Sequence, residues 1–158
     1  MKTQVAIIMG SKSDMPVMSE AEKMLKSFGI KPEVRVLSAH RTPLATINYA
    51  VSARNRAIKV IIAGAGGAAH LAGVIAAHTT LPVIGVPMMT KVLKGIDSLF
   101  STVQMPSGVP VATMAIGSSG AKNAAILATQ ILALEDKLLA KKLAQFKKKL
   151  AASIKKRK

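Results

Sequence analysis

At 158 residues, half of them hydrophobic, the chain has the size of one domain and enough apolar content for a single core. It has no cysteine, which excludes disulfides, thiolate metal sites and a cysteine nucleophile, and no apolar run near the roughly 20 residues that cross a bilayer. The net charge of +16 suggests a nucleic-acid partner until it is located. The first 136 residues carry all seven acidic side chains against 13 basic ones, while the last 22 carry 10 basic and none acidic. The body is only mildly basic, as suits a protein that binds small anionic metabolites. With Thr3-Gln4 and a strand-like run after Lys2 instead of a signal segment, a soluble, cytoplasmic protein is expected.

Val5 to Met9 is a short apolar run ended by Gly10, the pattern of a strand buried on both faces. Gly10-Ser11-Lys12-Ser13-Asp14 follows, then Pro16 and a helical pattern (Met18, Ala21, Leu25, Phe28) stopped by Gly29. Val34 to Leu37 predicts a second strand leading into Ser38-Ala39-His40-Arg41-Thr42-Pro43, where Thr42 caps a helix with Pro43 at its first position. Val60 to Ala63 is the third strand, followed by Gly64-Ala65-Gly66-Gly67-Ala68-Ala69-His70 and a short helix to His78. Pro82 to Val86 is the fourth. Between it and a fifth strand at Val111 to Ile116, the apolar spacing of Val92, Leu93, Ile96, Leu99, Phe100 and Val103 fits a helix, and Gln104 to Gly108 a turn. The fifth strand runs into a Gly117-Ser118-Ser119-Gly120 loop and a long helix from about Lys122. From Leu134 onward Leu138, Leu139, Leu143, Phe146, Leu150 and Ile154 recur among lysines as one amphipathic helix. Residues 1–134 thus form the body, and 135–158 a basic helix and tail of the same domain.

Repeated strand, loop and helix units predict a three-layer α/β domain with a five-stranded parallel sheet, whose post-strand loops gather along one edge where ligands bind. On that edge His40 is the main candidate for chemistry, since an imidazole with an unperturbed pKa of about 6.5 exchanges protons near neutrality. The plain alternative is a loop histidine bonded to its own turn. The GSKSD loop offers backbone N–H groups, hydroxyls and a helix start suited to a phosphate or sugar, with Asp14 either a helix cap or a ribose ligand. The glycine-rich segment lets backbone approach a flat ligand, and His70 either orients that ligand or caps its helix; His78 reads as structural. The spacing matches neither a Walker loop nor a dinucleotide fingerprint, and the three histidines lack the companions a metal site needs. The lysine-rich end is read as a helix packed on the body or on a neighbouring subunit, with nucleic acid and membrane disfavoured because no base-stacking platform interrupts it.

GSKSD at 10–14, SAHRTP at 38–43, GAGGAAHL at 64–71, DSLFSTVQMP at 97–106 and the AIG and NAA segments near 115–125 together resemble the 5-(carboxyamino)imidazole ribonucleotide mutases of purine biosynthesis over residues 4 to 134. The resemblance implies a flavodoxin-like domain, a homo-octamer, and transfer of a carboxyl group from an exocyclic nitrogen to carbon 4 of an imidazole ribonucleotide with no cofactor or metal. It puts the catalytic histidine at His40 and substrate contacts at Ser11, Ser13, Asp14, Ser38, Ala39 and Arg41. Further contacts are implied along Gly64, Ala65, Gly66 and Gly67 and at His70 and Leu71. A related branch that carboxylates aminoimidazole ribonucleotide with free carbon dioxide usually has His-Lys-Gly-Pro where this chain has His40-Arg41-Thr42-Pro43. Ala72 stands where proline is usual, a departure expected to loosen its loop, and the lysine-rich tail is also outside the family pattern. Two rivals from other classes are a non-catalytic nucleotide-binding module and nucleic-acid binding through the tail.

Overall fold

The computed structural model describes residues 3–155; residues 1, 2 and 156–158 and the side chains of 154 and 155 lie outside the described residues, and with them Ile154 and the last basic residues of the tail. Five strands form one parallel sheet in the order β2-β1-β3-β4-β5: β1 Val5–Met9, β2 Glu33–Val36, β3 Val60–Ala65, β4 Val83–Pro87 and β5 Ala112–Thr113. This order is that of the flavodoxin-like α/β fold. The helices are α1 Met15–Ser27, α2 Pro43–Ser52, α3 Leu71–Ala77, α4 Ile96–Val103, α5 Ser118–Ala133 and α6 Lys137–Lys155.

Every residue of β1 is buried, because side chains that alternate across a covered sheet both meet a helix layer. Val5, Ile7 and Met9 pack with Met18 and Leu25 of α1 and with Ala121, Ala124, Ala125 and Ala128 of α5. Ala6 and Ile8 face the other way, against Ala50 and Ala53 around the end of α2 and Leu71 and Ile75 of α3. Each large aliphatic side chain fully withdrawn from water in these layers contributes about 1.5–3 kcal/mol. The small-residue face of α5 lets that helix lie close to α1 and the sheet.

Several expectations need correction. The fifth strand pairs over two residues only, since Pro110 has no N–H and the chain turns after Met114, whose N–H still reaches the Gly85 carbonyl at 2.9 Å. The Gly117-Ser118-Ser119-Gly120 segment is the first turn of α5 and not a loop. Gly117 supplies the positive φ of 74° at its start, and a Cβ at Gly120 would overlap the Ala115 carbonyl. Val92 and Leu93 precede α4 instead of joining it, because Lys94 (φ 52°) and Gly95 (φ 91°) are both left-handed and break the helical run. Ala72 is the second residue of α3 and buried, continuous with the helix.

The basic C-terminal helix is separate from α5. It starts at Lys137 and not at Leu134, because the Asp136 carboxylate accepts the N–H groups of Leu138 and Leu139 at 2.9 and 3.1 Å and caps it. Its inner face returns to the body. Leu139 is buried, Phe146 meets Phe28 edge-to-face with ring centroids 5.5 Å apart, and Lys142 donates to the Phe28 carbonyl at the end of α1 at 2.6 Å. Among the described residues no helix is long and apolar enough to cross a membrane. Phe146→Ala should lower the unfolding free energy by about 2 kcal/mol, as expected for a half-buried aromatic. Leu138→Ala, at a side chain facing water, should move it by less than about 0.5 kcal/mol. Urea titration of the two variants checks both.

Candidate active site

β1 lies between β2 and β3, so the segments that leave these three strands start level with one another. Gly10 N–H continues the ladder to the Gly64 carbonyl at 3.1 Å, and Leu37 N–H continues it to the Met9 carbonyl at 2.9 Å. Beyond these bonds the chain diverges around a cleft of about 440 Å³, a volume in the range that accepts a mononucleotide-sized ligand.

The first wall is the 3-10 turn Lys12–Asp14. Ser11 Oγ accepts Ser13 N–H at 3.3 Å, and the Asp14 carboxylate accepts Ser11 N–H at 3.1 Å. Asp14 occupies the position before α1 but makes no side-chain cap to it; its carboxylate serves the turn instead. The second wall is the segment after β2. Thr42 does not cap α2 with its hydroxyl. Oγ1 turns back to accept Ser38 N–H at 2.9 Å and to donate to the Ser38 carbonyl at 3.1 Å, which ties the five residues from Ser38 to Thr42 into one turn. From that turn Arg41 reaches across to the first wall and donates to the Gly10 carbonyl at 2.8 Å.

The third wall is the end of β3 and the residues before α3. His70 presents Nδ1 to His40 Nε2 at 2.7 Å, with the rings nearly perpendicular (82°) and their centroids 4.8 Å apart. One of these two nitrogens must carry the proton and the other accept it, so the pair holds a single shared proton across that contact. A proton on both nitrogens would set two N–H donors against each other.

Of the residues expected at the site, Ser11, Ser13, Asp14, Ser38, Ala39, His40, Arg41, Ala65, Gly66, His70 and Leu71 line one cleft. Gly64 and Gly67 stand back from it. Gly64 is buried in β3, where a Cβ would come within 2.5 Å of the Met18 sulfur and 2.7 Å of the Met88 methyl. Gly67, with φ of 66°, shapes the loop from behind. Sequence reasoning placed Gly10 and Ala69 in the cleft loops without naming them as contacts; the Gly10 carbonyl holds Arg41, and Ala69 takes a left-handed φ of 46° on the way to His70. His78 spends Nδ1 on the Val74 carbonyl of its own helix at 2.8 Å, away from the cleft.

Burial pushes the Asp14 carboxyl above its ordinary value of 3.8, against the opposing pull of the Ser11 N–H, the Ser13 hydroxyl and the Arg41 charge. A carboxyl whose folded pKa lies above its unfolded one favours folding when neutral. Its charge therefore costs nothing below pH 3.8, and the cost grows as pH rises through the folded pKa and is complete above it. Asp14→Asn keeps an acceptor for Ser11 N–H and removes the charge. It should be more resistant to urea than the parent chain at pH 7, with the gap closing as pH falls below 4; paired urea midpoints across pH check this.

The description "AIR carboxylase" fits residues 4–153, nearly the whole chain. A protein of Vibrio parahaemolyticus named N5-carboxyaminoimidazole ribonucleotide mutase is 58% identical over 144 residues, which cover 91% of this chain and 89% of that one. One of the same name from Saccharolobus solfataricus is 61% identical over 143 residues, 90% and 89% of the two chains. The crystal structure of Treponema denticola PurE superposes with a TM-score of 0.86 at 31% identity, covering 97% of this chain and 94% of that one. The matched region contains all three walls of the cleft, and the chain belongs to the AIR carboxylase family.

Proposed function

We propose that this chain is a cytoplasmic mutase of purine biosynthesis that converts N5-carboxyaminoimidazole ribonucleotide into the 4-carboxylate isomer, with His40 as its proton carrier. The observation that carries the reading is the His40 ring, exposed at the cleft and 2.7 Å from His70, with Arg41 and the serine-rich turn at the other end. A phosphoribosyl imidazole has the matching polarity. Its phosphate suits Arg41 and the hydroxyls of Ser11, Ser13 and Ser38, its ribose hydroxyls suit the Asp14 carboxylate, and its flat ring suits the backbone of Ala65 and Gly66.

The chemistry needs one proton moved twice. When the bond from the exocyclic nitrogen to the carboxyl carbon breaks, carbon dioxide leaves and the nitrogen takes a proton from His40. The aminoimidazole that remains is an enamine, nucleophilic at carbon 4. When carbon 4 captures the carbon dioxide, its proton returns to the His40 nitrogen and restores the ring. Proton count and charge close over the cycle. Positioned proton transfer of this kind is worth about a hundred- to ten-thousandfold in rate. Carbon dioxide must remain in the cleft between the two steps, a matter of proximity that the glycine-rich wall supplies.

An octamer is part of the proposal. What supports association is an apolar surface that the single chain leaves in water: Val92 is 87% exposed and Phe100 58%, with Leu93, Ile96 and Val103 beside them. Light scattering on the purified protein should return a mass eight times that of the chain, and a monomer would remove this part.

Purified protein should convert N5-carboxyaminoimidazole ribonucleotide without added cofactor, and should make little product from aminoimidazole ribonucleotide and bicarbonate at low concentration. Product from the second pair alone would favour carboxylation by free carbon dioxide. His40→Asn should bind the nucleotide within a few-fold of the parent while kcat falls by about a hundred- to ten-thousandfold. Retained turnover in that variant would remove His40 from its role.

A further inference from the structure

α4 is a two-faced helix. Ile96, Phe100 and Val103 point outward into water, while Ser98 and Thr102 point inward and are 0% and 3% exposed. A buried serine hydroxyl is retained at a cost unless it is bonded, so its partners indicate what it holds. Ser98 Oγ accepts the N–H of Gly67 at 2.9 Å. One turn later, Ser101 Oγ lies 3.5 Å from the carbonyl of the same residue. Both polar atoms of the Gly67 peptide are thus turned toward α4. Ser98 is itself anchored, since its carbonyl accepts the Thr102 hydroxyl at 2.7 Å and the Thr102 carbonyl accepts the Thr113 hydroxyl of β5 at 3.2 Å.

Gly67 lies three residues before His70, and the backbone between them is under constraint. Gly67 has φ of 66° and Ala69, a residue with a Cβ, has φ of 46°. A left-handed alanine is strained and persists only where its surroundings enforce it. The loop's own bond is Ala69 N–H to the Gly66 carbonyl at 3.2 Å, and the clamp from outside is Ser98. Released at Gly67, Ala69 would relax to negative φ, and the turn that aims the His70 ring at His40 would rotate with it.

We infer that Ser98 is a positioning residue: its buried hydroxyl fixes the Gly67 peptide, and through it the wall that sets His70 against His40 and keeps carbon dioxide beside the imidazole. Ser98 touches no part of the cleft surface and acts only through the loop. The inference rests on the mutase reading given above. It separates the two half-reactions, because breaking the carboxyl bond needs only one proton from His40, whereas recapture needs the wall closed.

Ser98→Ala removes the acceptor with little change in volume. The variant should bind nucleotide with KM within about threefold of the parent, because Arg41, Ser11 and Asp14 are untouched. Its kcat for the 4-carboxylate should fall on the order of a hundredfold, the loss associated with a misplacement of about 1 Å. Free aminoimidazole ribonucleotide, a trace product for the parent, should become the main one. The independent measurement is amide exchange on the parent protein: Gly67 N–H, although in a loop, should exchange far more slowly than Ala68 N–H and lose that protection in Ser98→Ala. Unchanged kcat and product ratio in a folded Ser98→Ala would overturn the inference. So would fast exchange at Gly67 in the parent, which decides the matter even if the variant does not fold. If the parent itself fails to turn over the mutase substrate, the functional reading falls, while Gly67 exchange still reports whether the clamp exists.

Discussion

The hydrogen bonds on both sides of β1 are the constraint on which the cleft depends. A central parallel strand paired with both β2 and β3 brings three separate chain exits to one level, and the bonds Gly10 to Gly64 and Leu37 to Met9 extend that pairing one residue past the strand. Each exit then needs only a short departure from the sheet to reach its neighbours. Arg41 spans from the second exit to the first, and His70 spans from the third to the second. The apolar layers that bury β1 on both faces therefore stabilise the site as much as the core, since a shift of β1 by one residue would separate all three walls.

Within the cleft, stability and binding pull in different directions at Asp14. The carboxylate satisfies one N–H of its turn, but its burial leaves the charge under-compensated even with Arg41 nearby. A neutral residue would hold the turn as well and fold better. A half-buried carboxylate at the cleft wall is placed to complete its hydrogen bonding with a ligand, as the ribose hydroxyls of the proposed substrate would.

The parts of the fold that were legible in the sequence are those set by neighbours along the chain. β1 showed as an apolar run with a glycine stop, α1 showed by period, and the cleft loops showed as polar or glycine-rich interruptions after strands. The start of α5 did not, because Gly117 and Gly120 look like loop residues unless the Ala115 carbonyl that forbids a Cβ is known. β5 was overestimated because the apolar composition runs on past Met114, where the chain itself turns away from the ladder with β4. His40 and Arg41 were singled out from residue type and place, and both line the cleft. The contact between His40 and His70, 30 residues apart, and that between Gly67 and Ser98, 31 apart, have no local signature, since they arise only when the strand order is known. Gly64 was assigned to the ligand on a local argument, close backbone approach, that fits equally well its true neighbours Met18 and Met88.

α4 connects these levels. Its inward serine and threonine belong to the scaffold of the glycine-rich wall, and its outward Ile96, Phe100 and Val103 belong to the surface that the proposed octamer would cover. Eight residues give the helix little stability of its own, so its position depends on what packs against each face. In the isolated chain Ser98 and Thr102 hold the inner face, while the outer face is left in water. A second copy seated on Phe100 and Val103 would hold the helix from its outer side and, through Ser98, support the Gly67 peptide further. Association would then act on the chemistry through α4, by narrowing the set of positions His70 can take beside His40.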